Sequence, residues 1–278
     1  MINWWYGINV TKKYLYNVNE VLNDEEKIKY PYKIMNYHHN LKNVIEIDNT
    51  SIMPSVKDQG NLGSCTANAI CTCYESQMIK LENLYIPMSR LFLYYLERER
   101  EGTVDTDSGA QIKDGVTICN DTGLCLESMW EYDVSKFTEK PPSECYDDLQ
   151  HHKAVKIERV KKSFDDIDQC LLDGHIIVMG FRVYESFEKI KSDGLCPIPD
   201  VNKEKFLGGH AVAIFKKTTI GGKPKYGIRN SWSSSWGNQG NFYVDPEFLT
   251  YTFGVFNNTP LCNDLWTITA GNILNDTI

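Results

Sequence analysis

The apolar residues of this chain change period once along its length, and that change limits the folds open to it. From Cys65 the run CTANAICTCYESQMIKLEN places apolar side chains at 69, 70, 73, 74, 78 and 81, a helical spacing, and Gly60 and Gly63 punctuate its approach. Pro87-Met88-Ser89 opens a second helical run, SRLFLYYLERERE, with Ser89 as its N-cap. After the turn GTVDTDSGA a third helix is expected over about 111–120, stopping near Gly123. Pro141-Pro142 then forbids regular helix or sheet. Beyond it AVKIERV alternates as a strand does, and Ser163 to Asp166 reads as a capping box for a short helix ending at Gly174. The segments 175–181, 210–217, 225–229 and 241–244 read as strands, with Gly221-Gly222 turning between the second and third. Helices first and strands afterwards is the order of an α+β fold in two lobes, not of alternating βα units.

At 278 residues the chain can hold one large domain or two closely packed ones. The main domain is expected over 46–278, with a helical lobe over about 55–145 and a β-rich lobe over about 150–250. Residues 1–45 have a different character. They are rich in Tyr, Asn and Lys, offer only a short helical piece over 25–29, and start with the adjacent aromatics Trp4, Trp5 and Tyr6. This is the pattern of an extension laid over a domain, with its aromatics docked.

A formal charge of −8 and a pI near 5.3 argue against nucleic acid or an anionic membrane as the main partner. No apolar run approaches the roughly 20 residues that a membrane span needs. The N-terminal MINWWYGINVTKKYLYN lacks the pattern of a secretory signal, so an intracellular setting is expected, a virion or host cytoplasm if the chain is viral. Nine cysteines, an odd number, are read mostly as thiols in a reducing space.

The stretch with most chemistry in it is QGNLGSCTA, residues 59–67. A Gly-rich turn delivers Cys65 to the start of a helix, where the helix dipole favours a thiolate. Gln59 carries a side-chain NH₂ that, together with the Cys65 backbone N–H, suits a developing oxyanion. The stretch lacks a base. His38, His39, His151 and His152 lie in polar stretches and read as surface residues, and His175 fits a core position. His210 follows Gly208-Gly209 at the mouth of the strand HAVAIF and can face a cleft, although a structural role stays open on that ground alone. The next strand delivers Asn230, followed by Trp232 and Trp236. An Asn oxygen can accept an imidazole N–H, and an indole over that bond would keep water away. The Cys71-x-Cys73 pair lacks a matching second pair and is not read as a zinc site.

Gln59-Gly60, Gly63-Ser64-Cys65, Gly209-His210-Ala211-Val212 and Asn230-Ser231-Trp232 with Trp236-Gly237 resemble the signature blocks of papain-like cysteine peptidases. DQGNLGSCTANA, SRLFLYYLER, DSGAQIKDG and NDLWTI resemble a divergent branch found in bacteria, archaea and large DNA viruses. The resemblance covers roughly 45–270. It implies a helical lobe and a β-barrel-like lobe with a cleft between them, and peptide-bond hydrolysis with no metal or organic cofactor. Cys65 would be the nucleophile, His210 the base and later the acid, Asn230 the orienter and Gln59 the oxyanion donor, with Trp232 shielding the His210–Asn230 bond. Gly180, Gly208 and Gly209 would line the pocket for the second residue before the cut and leave room for a bulky apolar side chain. Gly109 would present backbone to a peptide or protein substrate, with Gly63, Ser64 and Trp232 also counted on the substrate side. Leu62 stands where secreted members have a disulfide cysteine, and Thr66 where an aromatic usually follows the nucleophile. An endopeptidase is expected; an exopeptidase or a catalytically silent binding module are the alternatives. Residues 1–45 are expected to inhibit as a short pro-segment, the alternative being a structural arm packed on the back of the β-rich lobe.

Overall fold

The computed structural model describes residue 30 and residues 46–254 and 258–271. The expectations for Trp4, Trp5 and Tyr6, for 25–29 and for His38 and His39 lie outside these residues. Three helices form where the period predicts them: α1 (Cys65–Glu82), α2 (Arg90–Glu101) and α3 (Ile112–Asp121). Ser89 caps α2 by accepting the Phe92 N–H at 3.1 Å, and Gly102 closes it in the left-handed region at φ +72°. The helix α1 is buried on every face from Cys65 to Met78, so it is a central post and not a surface amphipath.

The strands are β1 (Ile47–Asp48), β2 (Ala154–Arg159), β3 (Ile177–Tyr184), β4 (Leu195–Cys196), β5 (Phe206–Ile220), β6 (Lys223–Arg229), β7 (Asn241–Val244), β8 (Thr252–Phe253), β9 (Thr259–Pro260) and β10 (Cys262–Ala270). Between β2 and β3 lies α4 (Phe164–Leu172), whose cap Ser163 accepts the Asp166 N–H at 3.1 Å. The main sheet runs β2-β10-β3-β5-β6-β7-β4, with β1 on the far end of β5; only the β4–β7 pair is parallel. This path is open, so the β lobe is an open sheet and not the barrel-like closure expected, among the described residues. Strand β10 was not expected. It inserts between β2 and β3 and draws the C-terminal part of the chain into the middle of the sheet.

Alternate residues of β5 feed two cores. Ala211, Ala213 and Phe215 face the helices, with Val178, Trp266 and Ile268. Val212 and Ile214 face the other way, with Met179, Phe181, Phe187 and Trp232. His210 lies inside β5, paired with Phe181, because the strand starts four residues earlier than the pattern suggests. His152, expected at the surface, is buried beside Asp148 at 3.4 Å.

A short strap joins the helical side to the sheet side. The Gln59 N–H donates to the Ser231 carbonyl (2.9 Å), the Ser233 N–H donates to the Lys57 carbonyl (3.1 Å), and Asp58 bridges Trp232. The approach to Cys65 is thereby laid antiparallel to the segment that follows Asn230. Gly240, at φ +79°, closes the turn beyond it; any Cβ there would sit 2.4 Å from Val56 of the same strap.

Candidate active site

Cys65 is the first residue of α1 and is fully buried. Its N-cap, Ser64, does not cap the helix with its side chain. The Ser64 hydroxyl instead meets Tyr132 Oη at 2.5 Å and accepts from Asn68 Nδ2 at 3.1 Å. The first turn of α1 carries no acidic residue. The positive end of the helix is therefore left for whatever charge develops at the Cys65 sulfur.

Gln59 is fixed at both ends of its amide. Oε1 accepts from Ser231 Oγ at 2.6 Å, and Nε2 donates to the Leu62 carbonyl at 2.9 Å. This assigns the amide orientation and leaves a second Nε2 proton to donate. Its own carbonyl accepts from Tyr132 Oη at 3.0 Å.

On the sheet side, His210 Nε2 lies 2.8 Å from Asn230 Oδ1. The Ser231 N–H donates to the same oxygen at 2.8 Å, so that atom is an acceptor and the imidazole proton sits on Nε2. Nδ1 is then the nitrogen that can take a proton from elsewhere. The imidazole is boxed by Trp232 (ring centroids 5.0 Å), Phe181 (5.8 Å) and Phe187 (6.1 Å), and Trp232 itself is buried. Burial pushes the His210 pKa down to about 4, against the opposing pull of the Asn230 oxygen. The ring is thus neutral until a neighbouring anion charges it.

The two sides meet closely. Ala69, one turn beyond Cys65, and Ala211, next to His210, line the same gap of about 10 Å³, together with Asn68, Thr72 and Asn230. Gly208 and Gly209 lead into His210 on β5, paired with Val183 and Arg182. Gly63 and Gly109 are tied to one another through side chains of the helical lobe, and the Gly109 N–H is already donated to Tyr94 Oη at 3.1 Å. Gly180 does not open the room expected of it. A Cβ there would meet Asn263 Oδ1 at 2.9 Å and Ile112 Cδ1 at 3.2 Å, so these two side chains already occupy that space. Trp232, counted above on the substrate side, packs on His210 instead. Ser231, Tyr132 and Asn263 carried no signal of their own in the sequence. Ser231 had only its place beside Asn230.

Thr66 turns out to hold a buried acid. Its hydroxyl donates to Glu97 Oε2 at 2.8 Å, and burial drives the Glu97 carboxyl well above the ordinary carboxylate range. None of the nine cysteines is in a disulfide, and all are buried.

The strap thus brings the buried Cys65 at the start of α1, the fixed Gln59 amide and the His210–Asn230 pair onto facing elements of the two lobes. The model for papain family cysteine proteases matches residues 41–249, and the chain belongs to that family. A peptidase C1-like protein of Acanthamoeba polyphaga mimivirus is 39% identical over 228 residues, which is 76% of this chain and 68% of that one. Among solved structures, xylellain, a cysteine protease from Xylella fastidiosa, superposes with a TM-score of 0.78 at 29% identity, covering 94% of this chain and 97% of its own. A procathepsin B from Trypanosoma congolense shares the fold, with a TM-score of 0.68 at 13% identity over 93% of this chain and 87% of its own. The protein is a cysteine peptidase acting on peptide or protein substrates.

Proposed function

We propose that Cys65 is the nucleophile, His210 the general base and acid, Asn230 its orienter and Gln59 the oxyanion donor, in an endopeptidase. The observation that carries this reading is the single oxygen of Asn230, which accepts both the Ser231 N–H and the His210 Nε2–H. It leaves Nδ1 as the working nitrogen. Proton transfer from Cys65 to Nδ1 makes a thiolate and an imidazolium, each stabilising the other. The thiolate adds to the scissile carbonyl, and the Cys65 N–H and the second Gln59 Nε2 proton take the oxyanion. His210 then protonates the leaving amine, and water deprotonated by His210 releases the acyl group from the sulfur. At Gly109 the N–H donates to Tyr94 Oη and the carbonyl accepts from Ser108 Oγ at 3.0 Å, so a substrate would meet only the second lone pair of that carbonyl.

A thiol-directed epoxide with a peptidyl arm tests the assignment, alongside end-blocked and free-ended peptide substrates. Labelling of Cys65 and cleavage of blocked peptides are expected. Labelling confined to other cysteines would sink the assignment, and cleavage of free-ended peptides alone would favour an exopeptidase.

Residues 1–45 are proposed to act as an inhibitory pro-segment of the main domain. Two observations support this: Cys65 and His210 have no solvent exposure, as a closed cleft requires, and Tyr30 is anchored on the domain. The Tyr30 carbonyl accepts the Arg159 N–H at 2.5 Å, and its ring lies 5.8 Å from that of Trp266. Replacing Trp4, Trp5 and Tyr6 by Ala should raise activity on peptides; unchanged activity would make the segment a structural arm.

A further inference from the structure

One peptide unit of the nucleophile turn is gripped from both sides. The Leu62 carbonyl accepts Gln59 Nε2 at 2.9 Å. The N–H of the same unit, that of Gly63, donates to both carboxylate oxygens of Asp107 at 3.0 Å. Because the unit is planar, fixing its N–H fixes its carbonyl, and a flip of the unit would lose both partners at once. A carboxylate on the N–H also polarises the unit and makes its carbonyl a stronger acceptor.

Asp107 is itself held. Tyr94 Oη donates to Asp107 Oδ1 at 2.5 Å and accepts the Gly109 N–H at 3.1 Å. One turn along α2, the buried Arg98 lies over the Tyr94 ring at 4.2 Å and donates to the carbonyls of Val104 (2.7 Å) and Thr106 (3.2 Å). Tyr94 and Arg98 thus build the loop that presents Asp107. Leu62, beside Gly63, is buried and cannot cross-link, so this hydrogen-bonded clamp is the tie seen between the loop and the nucleophile turn.

We infer that Asp107 is a positioning residue that acts on the reaction through the Leu62–Gly63 peptide unit, by setting the direction of the Gln59 side-chain amide. The inference rests on Gln59 being the oxyanion donor. Asp107 grips the turn at the Gly63 N–H, so its effect falls on the chemical step and passes through Gln59.

A double-mutant cycle on the full chain with an end-blocked fluorogenic peptide tests this. Asp107→Ala should lower kcat about 100-fold, the scale of losing one oxyanion donor, with KM within about 2-fold. Asp107→Asn keeps an acceptor for the Gly63 N–H and should recover most of that loss. In a Gln59→Ala background, Asp107→Ala should cost less than about 3-fold more. Alkylation of Cys65 by iodoacetamide needs no oxyanion hole and should keep its rate. Equal losses in both backgrounds, or Asp107→Asn as impaired as Asp107→Ala, would overturn the inference. A second readout does not depend on turnover. The Gln59 side-chain amide resonances should shift in Asp107→Ala and not in Asp107→Asn, and resonances unmoved in Asp107→Ala would also overturn it. Wild-type protein that cleaves no peptide would instead count against the peptidase assignment, leaving the spectra to decide the role of Asp107.

Discussion

The two walls of the cleft are built from different materials. On the sheet side, His210 sits in a dry box of Trp232, Phe181 and Phe187, and one amide oxygen orients it. On the helix side, the turn before Cys65 is held by a chain of polar contacts through Gln59, Ser64, Tyr132 and Asp107. Packing is non-directional and contributes through area and volume. Hydrogen bonds contribute little net stability but fix direction. The sheet wall should therefore fail by losing stability, and the helix wall by losing geometry.

The largest separation of the two should come from Trp232→Ala against Gln59→Ala. Trp232 is among the largest fully buried side chains and contacts His210, Phe187 and Trp236. Its removal should cost about 3–5 kcal/mol of unfolding free energy, read from urea denaturation. Gln59→Ala should cost about 10²–10³ in kcat but only about 1–2 kcal/mol of stability, from the partners it leaves at Ser231 and Leu62. If Gln59→Ala unfolds the protein as readily as Trp232→Ala, the contrast between the walls is false.

A smaller effect concerns charge. The unfolded His210 side chain titrates near 6.5, while in the folded site burial holds it at about 4. Between those values the unfolded chain binds more protons, so this contribution is present above pH 6.5 and is lost as pH falls towards 4, by up to about 3 kcal/mol. Cys65→Ala isolates it by removing the anion that could charge the ring. In that variant the imidazole resonances should stay those of the neutral ring down to about pH 4. The loss of stability on acidification should be shallower once His210→Gln is added. His175, also pushed down to about 4 by burial, adds a parallel slope that is common to both variants. An imidazole titrating near 6.5 in Cys65→Ala would mean that the aromatic box admits water.

What the sequence made legible follows the same division. The helices and the order of the elements were readable because period and caps are local signals, and Gln59, Cys65, His210 and Asn230 stand out by short motifs of the same local kind. The supports do not. Asp107 reaches Gly63 across 44 positions, and Ser231 reaches Gln59 across 172. No period or motif encodes which polar side chain will close such a gap. Strand β10 was missed because, buried in mid-sheet, CNDLWTITA carries polar residues inside its pattern, among them Asn263 and Asp264 at a register shift. His210 was placed at a strand start because Gly208-Gly209 reads as a turn, although Gly208 continues the strand at φ +142°. Small residues there were also taken for open space, yet at Gly180 the space belongs to Asn263 and Ile112.

The smallest effect sharpens the comparison most, because it falls on a place where the helix wall behaves like the sheet wall. Glu97 is fully buried, accepts from Thr66 on Oε2, and has no hydrogen-bond partner for Oε1 among the described residues. Burial keeps its proton on, as burial keeps one off His210. The signs are opposite. For Glu97 the unfolded chain releases its proton first as pH rises above about 4.5, so this contribution falls with rising pH. Glu97→Gln is close in shape to the protonated acid and carries no titration. It should therefore change stability by less than about 1 kcal/mol near pH 5 and be relatively more favourable at pH 8. The alkylation rate of Cys65 should stay unchanged. A strongly destabilised Glu97→Gln would mean that the carboxylate is charged and paired next to Thr66, one residue from the nucleophile, and the electrostatics of the thiol would then have to be argued with that charge included.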